Sequence, residues 1–376
     1  MRKFFLVIFF CSIGLLVNLY AQESSQVRIA VNRDFSSVQL KIRGLYEIED
    51  TQAERILLRG KDLNSAVAIG EGGIFVGGKF FPIKRLRIRT DANLSSLALD
   101  NRYFRGDIEF ILQTSGKLLA VNHLGLEDYI KGILYHEVSH YWPFEALKAQ
   151  AVVSRSYAVY QVNYPVNKDY DLTADIYSQV YGGKTSERYR TNKAVGETRG
   201  QVLDFNGQGF PTYYHACCGG HTEDASVLWS IDIAPLKGVV CNYCTNSPHY
   251  YWQASFSLRK IREKLLDYGI KTGPIESMAI LDKTASSRAA NLRITSEGNP
   301  VDISAKNLRA ALGPNYIKSL HLTVEVVGKD AVFEGVGWGH GVGMCQWGAY
   351  FQAKAGFDYH KILQYYYPGA EITNLK

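Results

Sequence analysis

From residue 26 to about residue 100 the chain carries stretches in which apolar and polar positions alternate. VRIAV, VQLKI and RLRIR each put every second side chain on one face, the period of a half-buried strand, and Gly70, Gly72, Gly73, Gly77 and Gly78 mark turns among them. YFRGDIEFIL (103–112) and KLLAVNHL (117–124) read as a hairpin joined by Thr114, Ser115 and Gly116. The period then changes. Leu126, Tyr129, Ile130, Ile133 and Leu134 fall at i, i+3, i+4, i+7 and i+8, an amphipathic helix. Pro143 suits the first turn of a second helix, where its missing N–H costs nothing. Leu147, Ala151, Ser154 and Ala158 form a stripe of small and apolar residues along that helix. A tyrosine-rich loop (164–183), short strands near 201–205 and 212–215, and a cysteine-bearing loop follow. Further on come a short helix at 258–266, paired strands through 277–304, a helix at 306–312, a glycine-rich segment and a closing helix near 359–367. The pattern predicts an α+β protein: a β-rich region over 22–105, then a mixed α/β domain over 106–376 with helices around Glu137.

Ahead of the first strand, Arg2 and Lys3 precede an uncharged run over 4–20 and the small residue Ala21. This reads as a signal peptide, residues 1–21, with a retained anchor as the alternative. Export to the periplasm, the cell wall or the medium is therefore expected. No later stretch reaches the roughly 18–20 apolar residues of a membrane span, so no integral membrane protein remains after cleavage. Formal net charge is +6, falling by two when Arg2 and Lys3 leave. That excess suits an acidic polymer surface such as a cell wall and is too weak for nucleic acid. The 25 tyrosines, 17 phenylalanines and 5 tryptophans add ring faces that stack on sugars or fill a β-rich core.

Glu137 lies at the junction of the two helices, among His136, His140, Tyr141 and Trp142. A partly desolvated carboxyl beside an aromatic ring has a raised pKa and stays protonated near neutrality, as glycan-cleaving acids require. Local capping or pairing is the other reading. Cys217, Cys218, Cys241 and Cys244 form two pairs; Cys241 and Cys244 have zinc-knuckle spacing, whereas export favours disulfides, with cross-pairing between the adjacent and the spaced pair. Structural zinc, disulfides and free thiols all remain open. Cys345 reads as a small buried residue.

Four segments in this order resemble the SpoIID/LytB family. They are YIKGILYHEVSHYWPFEALKAQAVVSRSYA, YDLTADIYSQVYGG, YHACCGGHTE with a following tryptophan, and GVGWGHGVGMCQWGAYFQAKAGFDYHKILQYYYPGAEI. SSRAANLRI and NLRAALG between the last two match that family's spacing as well. Several long motifs in the right order are a specific signal. The resemblance implies a peptidoglycan lytic transglycosylase with Glu137 as catalytic acid and base, acting on glycan strands and requiring no cofactor. Gln150, Ser154 and Tyr157 share a helix face. With Arg155, Gln179 and Tyr181 they are expected to line the glycan groove, and His340 and Gln346 to reach the same site; packing and helix-surface hydrogen bonding are the alternatives for each. Some family members carry a Cys/His zinc site in the second motif. Here that stretch offers Thr173, Asp175, Tyr177 and Ser178, so no zinc is expected there. The alternative function is a non-catalytic wall-binding stimulator of an N-acetylmuramoyl-L-alanine amidase. A structural scaffold at the envelope is a third.

Overall fold

The computed structural model describes residues 26–91, 94–175 and 178–375; the expected signal peptide and Tyr177 lie outside them. Eight helices are present among the described residues: α1 (Leu126–Glu137), α2 (Phe144–Asn163), α3 (Tyr189–Glu197), α4 (Ala225–Trp229), α5 (Leu258–Asp267), α6 (Ala305–Leu312), α7 (Gln346–Lys354) and α8 (Tyr359–Tyr366). The chain is α+β, as its pattern requires.

An eleven-stranded sheet dominates the first third. Its long strand Ser37–Asp50 buries alternate residues, Val38, Leu40 and Ile42 among them, because a pleated strand presents every second side chain to one face. The expected boundary after residue 105 falls inside this sheet. Strand Asp107–Leu112 pairs with Arg85–Thr90, and Leu118–Gly125 pairs with Gln26–Phe35, so the β unit runs to Gly125. The stretch read as one strand from Tyr103 is also divided. Arg102–Phe104 pairs with Ser96–Leu99, and Gly106, at φ +71°, turns the chain into the next strand. A side chain on Gly106 would collide with the carbonyl oxygen of His123.

Strand Leu118–Gly125 runs straight into α1, whose face of Leu126, Tyr129, Ile130, Ile133 and Leu134 packs on the sheet. Each of those side chains contributes about 1.5–3 kcal/mol by leaving water. Glu127 and Asp128 sit in the first turn, where acidic groups complement the helix dipole. Pro143 occupies the N-cap of α2, one position before the first turn. α2 is buried on two sides. Leu147, Ala151 and Ala158 join the sheet's core, while Ala149, Val152 and Val153 join a second core with α7, α8 and the cysteines. A helix apolar on both faces lies inside the molecule, which is why the stripe read from sequence accounts for only one of its two packed faces. A third core, built by two three-stranded sheets with α5 and α6, gathers residues 252–333.

Candidate active site

Glu137 is the last residue of α1, and Val138 leaves the helix in an extended conformation. The turn to α2 is fixed from outside by Arg190, whose guanidinium donates to the carbonyl oxygens of His140 (2.9 Å) and Trp142 (2.9 Å). Gly132, one turn and a half earlier, has no room for a side chain because the ring of Tyr181 lies against it.

Three distant segments close around this helix end. The second motif returns to the sheet edge, where Leu172–Thr173 runs parallel to Ile29 and Ala30 and buried Asp171 pairs with Arg28 at 2.6 Å. That anchoring delivers Gln179 and Val180 to the site. The third motif contributes Tyr214. The fourth arrives through a short parallel pairing, Tyr214 with Met344 and His215 with Cys345. Gly343, at φ +69°, is required there: any side chain would strike the carbonyl oxygen of Tyr213.

The Glu137 carboxylate accepts hydrogen bonds from the Tyr214 hydroxyl and the Val180 main-chain N–H. Although the residue is half-buried as a whole, protein atoms surround its carboxyl group. Desolvation raises its pKa from 4.5 to about 7, against the opposing pull of those two bonds. At neutral pH the group is thus close to evenly divided between acid and base. Beneath it runs a buried network. Tyr129 Oη donates to Gln179 Oε1 (3.0 Å), and Gln179 Nε2 donates to Tyr214 Oη (3.1 Å) and the Ser154 carbonyl (3.3 Å). Gln346 Nε2 donates to the Glu137 carbonyl oxygen (3.2 Å) and to Gln150 Oε1 (3.3 Å), and Gln150 Nε2 donates to Ser154 Oγ (3.1 Å). The phenols of Tyr129 and Tyr214 are pushed well above 10, first by burial and then by Glu137, so both remain neutral donors.

Gln150, Gln179 and Gln346 therefore converge on Glu137 as a supporting network, and the half-buried Tyr157 is close enough for Glu137 to help raise its pKa to about 12, after burial. Two of the expected groove residues lie elsewhere. Arg155 is fully buried and holds Glu127 through two bonds (2.9 and 2.8 Å), with further bonds to the carbonyls of Gln201 and Val195; it ties α1, α2 and α3 together rather than lining a groove. Tyr181 is buried against Tyr129, its hydroxyl donating to Asn122 (2.8 Å), so it supports α1 from below. His340 reaches the site through Tyr214. Its Nδ1 accepts from Val342 N–H (3.1 Å) and its ring hydrogen-bonds the Tyr214 main chain. Burial, then nearby Arg309, lowers its pKa to about 4, so it is a neutral anchor at pH 7. Tyr214 and Val180 carried no assignment from sequence. Tyr214 opens the third motif, and that position is the one sequence signal it carries; a main-chain N–H leaves none.

Two clusters of rings are carried by the segments that meet at Glu137. Trp142, Trp347 and Tyr350 meet with centroids 5.0–5.1 Å apart. In the second cluster Tyr213 stacks on Trp229 at 4.3 Å and lies 6.0 Å from Tyr157. Two open hollows of about 650 and 640 Å³ lie away from Glu137, one on the first sheet around Tyr46 and Arg89, the other around Trp252 and His321.

The cysteines also differ from expectation. The sulfurs of Cys218, Cys241, Cys244 and Cys345 lie within 4.8 Å of one another. Cys345 replaces Cys217 in the group of four, and all five cysteines among the described residues are unbridged.

Residues 114–205 match the family model for SpoIID, described as stage II sporulation protein, and residues 237–343 match a domain of unknown function. An uncharacterised protein of Brachyspira hyodysenteriae is 37% identical over 272 residues, covering 72% of each chain. The stage II sporulation protein D of Bacillus subtilis is 29% identical over 271 residues, 68% of this chain and 76% of its own. The chain belongs to the SpoIID family. The amidase enhancer of Bacillus subtilis is 29% identical over 340 residues, 77% of this SpoIID-family chain but 47% of the enhancer. The SpoIID match spans α1, α2 and the second motif, the elements that carry Glu137, Gln150 and Gln179.

Proposed function

We propose that this chain is an exported lytic transglycosylase that cuts peptidoglycan glycan strands, with Glu137 as its acid and base. One observation carries the reading: a surrounded carboxyl whose pKa is raised to about 7 stands where all four motif segments meet. Protonated, Glu137 gives its proton to the glycosidic oxygen as the bond to the anomeric carbon breaks. The resulting carboxylate then takes the proton of the same sugar's 6-hydroxyl, whose oxygen closes on the anomeric carbon to form an anhydro ring. The proton returns to Glu137, so one carboxylate completes the cycle and no second nucleophile is needed, unlike the two-carboxylate glycosidases. Tyr214 and Val180 hold the carboxylate and fall short of neutralising the effect of its burial. The two ring clusters offer faces on which sugars can stack. Proton transfer from such a positioned group is worth about 10²–10⁴-fold in rate.

A second reading rests on the amidase enhancer's similarity: the chain binds the wall and stimulates a separate N-acetylmuramoyl-L-alanine amidase. Incubation with intact and peptide-free glycan strands, read by product mass, separates the two. Anhydro-ended sugars establish the transglycosylase. Intact strands together with faster cleavage by an added amidase establish the stimulator, and reducing-end products establish a hydrolase instead.

A further inference from the structure

We propose that Cys218, Cys241, Cys244 and Cys345 bind one zinc ion as a tetrathiolate centre that clamps the glycine-rich segment to the cysteine loop. The inference is independent of the glycan-cleaving reading. Four ligands at zinc–sulfur distances of 2.3 Å place tetrahedral sulfurs about 3.8 Å apart. Here the four sulfurs lie within 4.8 Å of one another, with Cys218 and Cys244 at 3.4 Å. The donor set is four sulfurs on three separate stretches of chain, which suits a tetrahedral ion of zinc's type.

The surroundings are built for negative sulfur. Cys345 Sγ accepts main-chain N–H bonds from Cys218 (3.2 Å) and Gly348 (3.3 Å), and Cys241 Sγ lies 3.2 Å from the Tyr366 hydroxyl. Cys345 also caps α7, placing its sulfur at the positive end of that helix. Serine caps a helix well; cysteine here gives up the better cap and gains a ligand sulfur. Arg288 supplies the second, independent observation. Only 2% exposed, it donates to the carbonyls of Cys218 (2.7 Å) and His221 (2.9 Å) and to Ser286 Oγ (2.7 Å). Its Nε has no partner, and its nearest acid, Glu223, is one hydroxyl removed through Ser286. A buried guanidinium without a direct ion pair is costly. Four thiolates around a doubly charged ion carry a net negative charge, and that charge would compensate it. Binding releases the four thiol protons to solvent.

Cys217 stays outside. Its main chain pairs with Trp338, and its sulfur lies 4.0 Å from the Cys244 carbonyl. The consequence reaches Glu137, because Gln346, bonded to the Glu137 carbonyl, directly follows ligand Cys345. The ion therefore positions Gln346 from behind.

The test is metal content of the full chain purified without reductant or chelator. One zinc per chain is expected in the wild type and in Cys217→Ser, and none in Cys345→Ser, whose serine keeps the cap of α7. Should Cys345→Ser fail to fold, cobalt(II) exchanged into the wild type reports directly: tetrahedral thiolate bands are expected. Chelation should raise amide hydrogen exchange over residues 344–348 by at least ~10-fold. A metal-free wild type with its cysteines in disulfides, zinc retained by Cys345→Ser, zinc lost from Cys217→Ser, or a cobalt spectrum lacking thiolate bands would each overturn the proposal.

Discussion

Replacing Glu137 by glutamine should stabilise the protein, and do so more as pH rises. The carboxyl has a folded-state pKa of about 7 against 4.5, because burial outweighs its bonds to Tyr214 and Val180. Between those values the folded state holds a proton that the unfolded chain has lost, so wild-type stability falls as pH rises through this window. At about 1.36 kcal/mol per unit, the full cost above pH 7 is about 3 kcal/mol, less whatever solvent offsets at a half-buried residue. Glutamine has no titration, keeps the shape, and its amide oxygen can still accept from Tyr214 and Val180. Its advantage over the wild type should therefore grow by about 2 kcal/mol between pH 5 and pH 8. Thermal or denaturant unfolding of both proteins at the two pH values measures this directly. Glycan cleavage by the same variant should drop by at least ~10²-fold, as expected for loss of one general acid. A stability gap that is flat across pH, or that moves against glutamine as pH rises, would refute the claim that burial sets this carboxyl's proton affinity.

Three further outcomes follow from the same geometry. Tyr214→Phe removes a bond that lowers the Glu137 pKa, so the limb of the cleavage pH profile governed by Glu137 should move to higher pH; a shift to lower pH would contradict the arrangement. Arg155→Ala leaves Glu127 without its buried partner and should cost about 3–5 kcal/mol in denaturant unfolding, with KM for glycan little changed in the folded fraction. Gln346→Ala loses the bonds to Glu137 and Gln150 and should lower kcat without moving the Glu137-dependent pH limb, since the bond it makes is to the main-chain oxygen.

Periodicity alone determined much of this molecule. The strand alternation, the five-residue face of α1, and the helices near 258, 306 and 359 are local patterns, and each formed within a few residues of its expected limits. Glu137 stood out as a candidate because it lies at the junction of an amphipathic helix and a proline-started one, inside the first family-like motif. Partnership was decided elsewhere. Arg155 shares its helix with Gln150, yet only packing shows that its guanidinium turns to Glu127 while Gln150 faces Gln346. The span of one sheet to Gly125, across the expected boundary after residue 105, depends on pairing between strands some 90 residues apart. Cys345 joined Cys218, Cys241 and Cys244 for the same reason: the parallel contact of Tyr214 and His215 with Met344 and Cys345 spans about 130 residues of chain. Sequence spacing fixes which side chains share a face of one element. Which faces then meet, and so which carboxyl loses its water, is settled only when distant segments pack together and bury it.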